Sequence, residues 1–122
     1  MTWRWDQSAG VLTAPDGAVA AHGYSGAELG KNNPAMQDAV GVGPIPRGAW
    51  AIDGVIDSLR TGPFTIVLDA EPGTDTCGRS AFRIHGDSIA NPGRASHGCI
   101  ILPRAIREAI WASGDRHLSV VE

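Results

Sequence analysis

Four adjacent residues and one upstream histidine could do chemistry together: His85, then Ser96-His97-Gly98-Cys99. The types suit acyl transfer. A thiolate is the strong nucleophile, whereas a free cysteine with a pKa of about 8.5 is only a few per cent thiolate at neutral pH. Cys99 therefore needs a base or a positive setting. His85 and His97 are both near in the chain, and a helix that begins at Pro103 would add favourable potential for a thiolate at its N-terminus. Gly98 lets the backbone come close to a substrate. The backbone N–H groups of residues 97 to 99 can then aim at a carbonyl oxygen that acquires charge during attack.

The elements that must position these groups read as mainly β. Trp3 and Trp5 alternate with Arg4 and Asp6, as in a strand with one apolar face. Residues 11–14 and 18–22 flank Pro15-Asp16-Gly17, a turn sequence, so the chain opens as a small antiparallel meander. Gly23 to Asp38 reads mainly as loop with one short helical turn. After the stiff Gly43-Pro44-Ile45-Pro46-Arg47-Gly48, a strand resumes at Ala49 to Ile52. Phe64 to Leu68 is a further strand with Phe64, Ile66 and Leu68 facing one way.

In Ser80 to His85 a period of two puts Phe82 and Ile84 on one face and Arg83 and His85 on the other, so His85 should point out of the core. One substantial C-terminal helix is clear. Pro103 suits its first turn, Leu102, Ile106, Ala109, Ile110 and Ser113 form its stripe, and Gly114 fits its stop. Arg104 and Glu108 can pair across one turn, which adds at most about 0.5 kcal/mol. Leu118 to Val120 reads as a last strand. No repeat or linker divides the chain, so residues 1–122 are expected to form one domain.

Composition narrows the partners. A chain of 122 residues with 43% apolar and 19% charged residues is of ordinary globular type, and 16 glycines with 8 prolines favour many turns between short strands. A net charge of −3 without a basic run argues against nucleic acid. No stretch approaches the roughly 20 apolar residues of a spanning helix, and the first twenty residues lack a signal-peptide core, so neither membrane association nor the general secretory route is expected. Two cysteines, Cys77 and Cys99, are too few for a disulfide scaffold. A bond between them would silence Cys99. Cys77, His22 and His117 read as structural or incidental.

Ser96-His97-Gly98-Cys99 with an upstream His85 resembles the S/T-H-G-C signature of the L,D-transpeptidases, which act on peptidoglycan stem peptides. Pro46-Arg47-Gly48-Ala49-Trp50-Ala51-Ile52 looks like that family's P-x-G-x-aromatic-x-I strand entry. Ile84-His85-Gly86-Asp87, Gly93-Arg94-Ala95-Ser96 and the run from Gly98 to Arg104 look closest to short L,D-transpeptidase-related toxins delivered by type VI secretion. The resemblance implies a mainly β L,D-transpeptidase-like catalytic domain of mixed sheets. It implies that Cys99 attacks the L-centre carbonyl of diaminopimelate, releasing terminal D-Ala and leaving a thioester, while His85 takes the thiol proton. Ser96, His97 and Gly98 would shape the nucleophile's turn and the oxyanion site, with His97 a supporting residue.

The same resemblance implies no cofactor, a cognate immunity protein, a type VI delivery component, synthesis in the cytoplasm and action in the periplasm of a target bacterium. Two departures matter. Only ten residues, Gly86 to Ala95, separate His85 from Ser96, so the loop over the acyl site should be short and hydrolysis should compete well with transfer. Ile101 stands where many wall-building members carry arginine, which moves substrate-carboxylate recognition to Arg83 or Arg94. Asp87 could orient His85 or Arg94, or simply form a turn.

Two other readings stay open. His85, Asp87, His97 and Cys99 are all legitimate zinc-ligand types, although neither H-E-x-x-H nor C-x-x-C is present. A fold can also persist as a non-catalytic wall-binding module. A papain-like hydrolase is disfavoured because there the cysteine precedes the histidine.

Overall fold

In the computed structural model, which describes residues 1–122, nine strands form one mixed sheet beside a single α-helix. The strands are β1 (Thr2–Asp6), β2 (Val11–Thr13), β3 (Val19–His22), β4 (Tyr24–Ser25), β5 (Gly48–Ser58), β6 (Gly62–Ala70), β7 (Arg83–His85), β8 (Ile100–Ile101) and β9 (His117–Val121), and α1 is Arg104–Ala112. Their order across the sheet is β3-β2-β1-β9-β5-β6-β7-β8-β4. β1 with β9 and β7 with β8 are parallel. The other neighbours are antiparallel. The second parallel pair matters for chemistry, since Ile84 is in register with Ile100 and His85 with Ile101. Those pairings run the histidine strand alongside the strand that follows Cys99.

Alternation of apolar residues explains the sheet's buried face. Trp3 and Trp5 of β1, Trp50 and Ile52 of β5, Ile66 and Leu68 of β6, and Leu118 and Val120 of β9 all enter one core with Phe82, Ile84, Ile100 and Ile110. Each fully buried side chain of this size stabilises the fold by about 1.5–3 kcal/mol relative to exposure. No helix is long and apolar enough to cross a membrane.

Several local expectations change. The segment read mainly as loop holds β4 and two 3₁₀ turns, Glu28–Gly30 and Pro34–Met36. The second turn is capped by Asn33, whose side chain accepts the Ala35 N–H. Ser80 to Phe82 are not strand. Ala81 adopts a positive φ of 62°, which breaks the extended run and leaves β7 only three residues. Phe64 also has a positive φ, 50°, so it leaves the Ile66 and Leu68 face and lies beneath the Arg104 guanidinium, 5.6 Å from its ring centre. Thr65 is buried instead.

In α1, Pro103 is the N-cap rather than a helical residue, and Ala109 and Ser113 are exposed. Arg107 takes the inner position beside Ile110. Its guanidinium donates to the carbonyls of Leu102, Pro63 and Phe64, which fastens the helix to the start of β6. A buried cation is tolerated here because those carbonyls replace its water.

Candidate active site

The turn that presents Cys99 is built around the Ser96 hydroxyl. Ser96 is fully buried, donates to the Cys99 carbonyl at 2.5 Å, and accepts the N–H groups of Gly98 at 3.1 Å and Gly26 at 2.9 Å. All three bonding positions of the hydroxyl are therefore used. Gly98 has φ 141°, and a Cβ there would lie 2.4 Å from an Arg79 guanidinium nitrogen. Only glycine meets both demands. Its carbonyl accepts from Ser25 Oγ at 2.7 Å, and Ser25 Oγ accepts the Ile45 N–H in turn. The Gly98 N–H is already taken by Ser96. The N–H groups of His97 and Cys99 have no protein acceptor, a condition that oxyanion donors must meet.

Cys99 is half-buried and unbridged, as is Cys77. Its Sγ lies 3.7 Å from the Ala81 carbonyl. Burial pushes the thiol up from its ordinary range, against the opposing pull of the Arg83 backbone N–H and the charges of Arg83, Arg60 and Arg79. At rest Cys99 is consequently held as a thiol, which would need a base to react. His85 is the imidazole the fold places beside it. It lines one cavity of about 270 Å³ with Cys99, Arg60, Thr61, Ala95 and His97.

His85 is buried at 5% exposure, so it points into this cavity rather than out to open solvent. Its Nδ1 lies 2.9 Å from the Gly86 carbonyl. A carbonyl can only accept, so Nδ1 carries the proton and Nε2 keeps its lone pair. Burial lowers the imidazole's pKa, and Arg107, Arg83 and Arg60 push the same way, against the Gly86 bond. His85 is thus neutral at physiological pH and able to accept a proton.

The remaining residues singled out from sequence divide. His97 is exposed, with Nδ1 3.2 Å from the Gly41 carbonyl, and it lines the cavities on both sides of Cys99. Asp87 orients neither His85 nor Arg94. Its carboxylate accepts from Tyr24 Oη at 2.6 Å and from the Ser88 and Gly93 N–H groups, because the chain turns sharply after Gly86 and needs an acceptor for those donors. Arg83 lines neither cavity beside Cys99; its Nη1 lies 3.3 Å from Ser58 Oγ, and its bearing on Cys99 comes through its backbone N–H and charge. Arg94 lines a separate cavity with Ala27, Glu28, Lys31, Gly93 and His97, which does not include Cys99. The four residues weighed as zinc ligands do not converge, and no three His, Cys, Asp or Glu side chains meet in metal-holding geometry.

Sequence reasoning missed three positioning groups. Arg79, 8% exposed, donates to the carbonyls of Gln37, Gly43, Pro44 and His97, tying the cysteine turn to the segment before β5. Its guanidinium also lies 5.0 Å from the Phe82 ring centre, and Phe82 packs edge-on against Trp50. The Trp50 indole donates to the Pro46 carbonyl, so the proline-to-tryptophan motif builds the wall beneath the site. Ser25 is the second group. The third is Arg60, at the tip of the β5–β6 hairpin, which lines both cavities beside Cys99.

Comparison with known proteins bears on the fold and the family. No curated protein matches the chain at a significant level. Solved structures that share its fold include two crystal structures of L,D-transpeptidases. An L,D-transpeptidase from Stackebrandtia nassauensis matches with TM-score 0.57 at 18% identity, over 99% of this chain and 55% of that one. An L,D-transpeptidase from Xylanimonas cellulosilytica matches with TM-score 0.56 at 20% identity, over 98% of this chain and 59% of that one. This chain therefore spans somewhat more than half the length of either. The Tlde1 domain family matches residues 19–121, which contain the whole of β3 to β9 and every residue of the site. The chain belongs to the Tlde1 domain family, and its fold is that of the L,D-transpeptidases.

Proposed function

We propose that the protein is a cysteine-dependent enzyme of peptidoglycan stem peptides that cleaves the bond between diaminopimelate and terminal D-Ala through a Cys99 thioester. The observation that carries this reading is the shared cavity of Cys99 and His85, with the histidine's Nε2 left free by the Nδ1 bond to Gly86. As Cys99 Sγ attacks the carbonyl carbon, its proton passes to His85 Nε2 and the carbonyl oxygen becomes an oxyanion facing the free N–H groups of His97 and Cys99. Collapse breaks the C–N bond, His85 returns the proton to the departing amine, and the thioester remains. Water or a D-amino acid then attacks the thioester, giving up a proton to His85, and the thiol is regenerated.

Hydrolysis is the favoured second step. Of the short loop from Gly86 to Ala95, only Ala95 lines the cavity beside His85 and none lines the cavity on the other side of Cys99, so water has access to the acyl group. Membership of the Tlde1 family supports a role as an antibacterial effector, delivered by type VI secretion into a rival's periplasm and neutralised in the producer by an immunity protein. The test is mass spectrometry of stem tetrapeptide incubated with purified protein and excess D-amino acid. Tripeptide alongside exchange product is expected from the wild type, and neither from Cys99→Ala. Undiminished turnover by that variant would refute the mechanism.

A further inference from the structure

The two cavities flanking Cys99, of about 280 and 270 Å³, contain no Asp or Glu, although the chain is acidic overall. Their lining cations differ in how they are used. Arg79 spends its guanidinium on four backbone carbonyls. Arg60 makes no ion pair and no side-chain hydrogen bond within the protein, yet it borders both cavities. Its backbone is held in place. Ser58 Oγ accepts the N–H groups of Arg60 and Thr61, each at 3.1 Å, and Arg83 reaches the same hydroxyl. A fixed hairpin tip thus carries an uncommitted guanidinium to the edge of the reacting centre, where a planar fork of donors fits a carboxylate.

The direction of the substrate follows from the acid–base chemistry. His85 must hand its proton to the departing amine, so the departing residue lies on the His85 side of Cys99. That side is the smaller cavity, lined by Arg60, Thr61, Ala95 and His97.

We propose that Arg60 binds the free α-carboxylate of the departing D-amino acid and thereby restricts the enzyme to stem peptides that end in that carboxylate. The assignment rests on the thioester reading above. An incoming D-amino acid occupies the same place in exchange, and a donor peptide already amidated or cross-linked at that carboxyl lacks the anion.

The test uses two synthetic tetrapeptides ending in diaminopimelyl-D-Ala, one with a C-terminal carboxylate and one with a carboxamide. The wild type should prefer the carboxylate in kcat/KM by about 10- to 100-fold, the range of one charge-assisted hydrogen-bonded contact. Arg60→Gln should lower the carboxylate value by that factor more than the carboxamide value, chiefly through KM, so that the preference between the two peptides falls towards one; any change common to both reflects the loss of the Arg60 charge beside Cys99 and His85. Arg60→Lys should retain part of the preference, and circular dichroism should show native strand content in both variants. A wild type that processes both peptides alike overturns the assignment without any variant, as does an Arg60→Gln effect equal on both. Absence of turnover on either peptide would instead remove the thioester reading and this assignment with it.

Discussion

The Ser96 hydroxyl donates to the carbonyl of Cys99 while holding the N–H of Gly98, so a single buried side chain closes the turn around Cys99. Ser96→Ala would leave the Gly26 and Gly98 N–H groups and the Cys99 carbonyl without their partner. Each buried group left unsatisfied costs about 1–3 kcal/mol. The variant should lose a few kcal/mol in urea unfolding and, because the Cys99 backbone shifts, at least about tenfold in kcat. A variant of native stability and native kcat would show that the hydroxyl does not organise the turn.

Gly98→Ala tests the same turn from the other side. The added Cβ meets Arg79 at 2.4 Å and Phe82 at 3.0 Å in a backbone conformation, φ 141°, that L side chains rarely adopt. Destabilisation above about 2 kcal/mol is expected from strain and overpacking together, measurable as a lowered Tm. A native Tm would mean that the Arg79 guanidinium can move without cost.

The parts of this site that could be read from sequence are those whose chemistry is local. Ser96 to Cys99 make their turn within four residues, and Trp3, Trp5, Trp50 and Ile52 announce their strands by alternation. Arg79 was illegible because its role depends on carbonyls from Gln37 to Pro44 and from His97 meeting in space, and no periodicity encodes that meeting. Arg83 shows a related limit: its alternation with His85 is real, but the bond from its Nη1 to Ser58 of the neighbouring hairpin is announced by no pattern in its own strand. Phe64 broke its expected pattern at a positive φ beside the hairpin turn, where the carbonyls of Pro63 and Phe64 are turned to Arg107.

Arg79 should be irreplaceable by lysine. Four carbonyls are served by two guanidinium nitrogens in a fixed plane, whereas an ammonium is a single point with three donors. Arg79→Lys and Arg79→Gln should both destabilise the fold by about 2–4 kcal/mol, as expected when a buried hydrogen-bonded charge network is broken. They should also increase alkylation of Cys99, since the turn carrying it loosens. Full stability in Arg79→Lys would sink the argument from geometry.

The pH dependence follows from His85. Burial first, and then the charges of Arg107, Arg83 and Arg60, lower its pKa from 6.5. His85 therefore stays neutral below the usual imidazole range, and with His85 as the proposed base kcat/KM should rise out of acid with an apparent pKa below 6.5. The stability contribution has the same sign: it is fully present above the unfolded pKa and is lost as pH falls through the lower folded value. An acid limb centred at or above 6.5 would contradict a buried neutral base.

Tyr24 and Asp87 anchor the loop that carries Ala95. Burial and the bond to Asp87 push the Tyr24 hydroxyl up to about 12, so it remains a donor throughout the working range. Burial alone would raise Asp87, but bonds from Tyr24, Gly93 and Ser88 and the charge of Lys31 hold it below the ordinary carboxylate range. Its contribution is present above its unfolded value and lost only as pH falls through the folded one. Tyr24 Oη also accepts the Ala95 N–H at 3.0 Å, and Ala95 lines the His85 cavity. Tyr24→Phe should cost about 0.5–1.5 kcal/mol and free the loop that carries Ala95. Water then reaches the acyl group more readily, so the ratio of tripeptide to exchange product, at fixed D-amino acid, should rise severalfold. An unchanged ratio with a lowered Tm would separate loop anchoring from control of water.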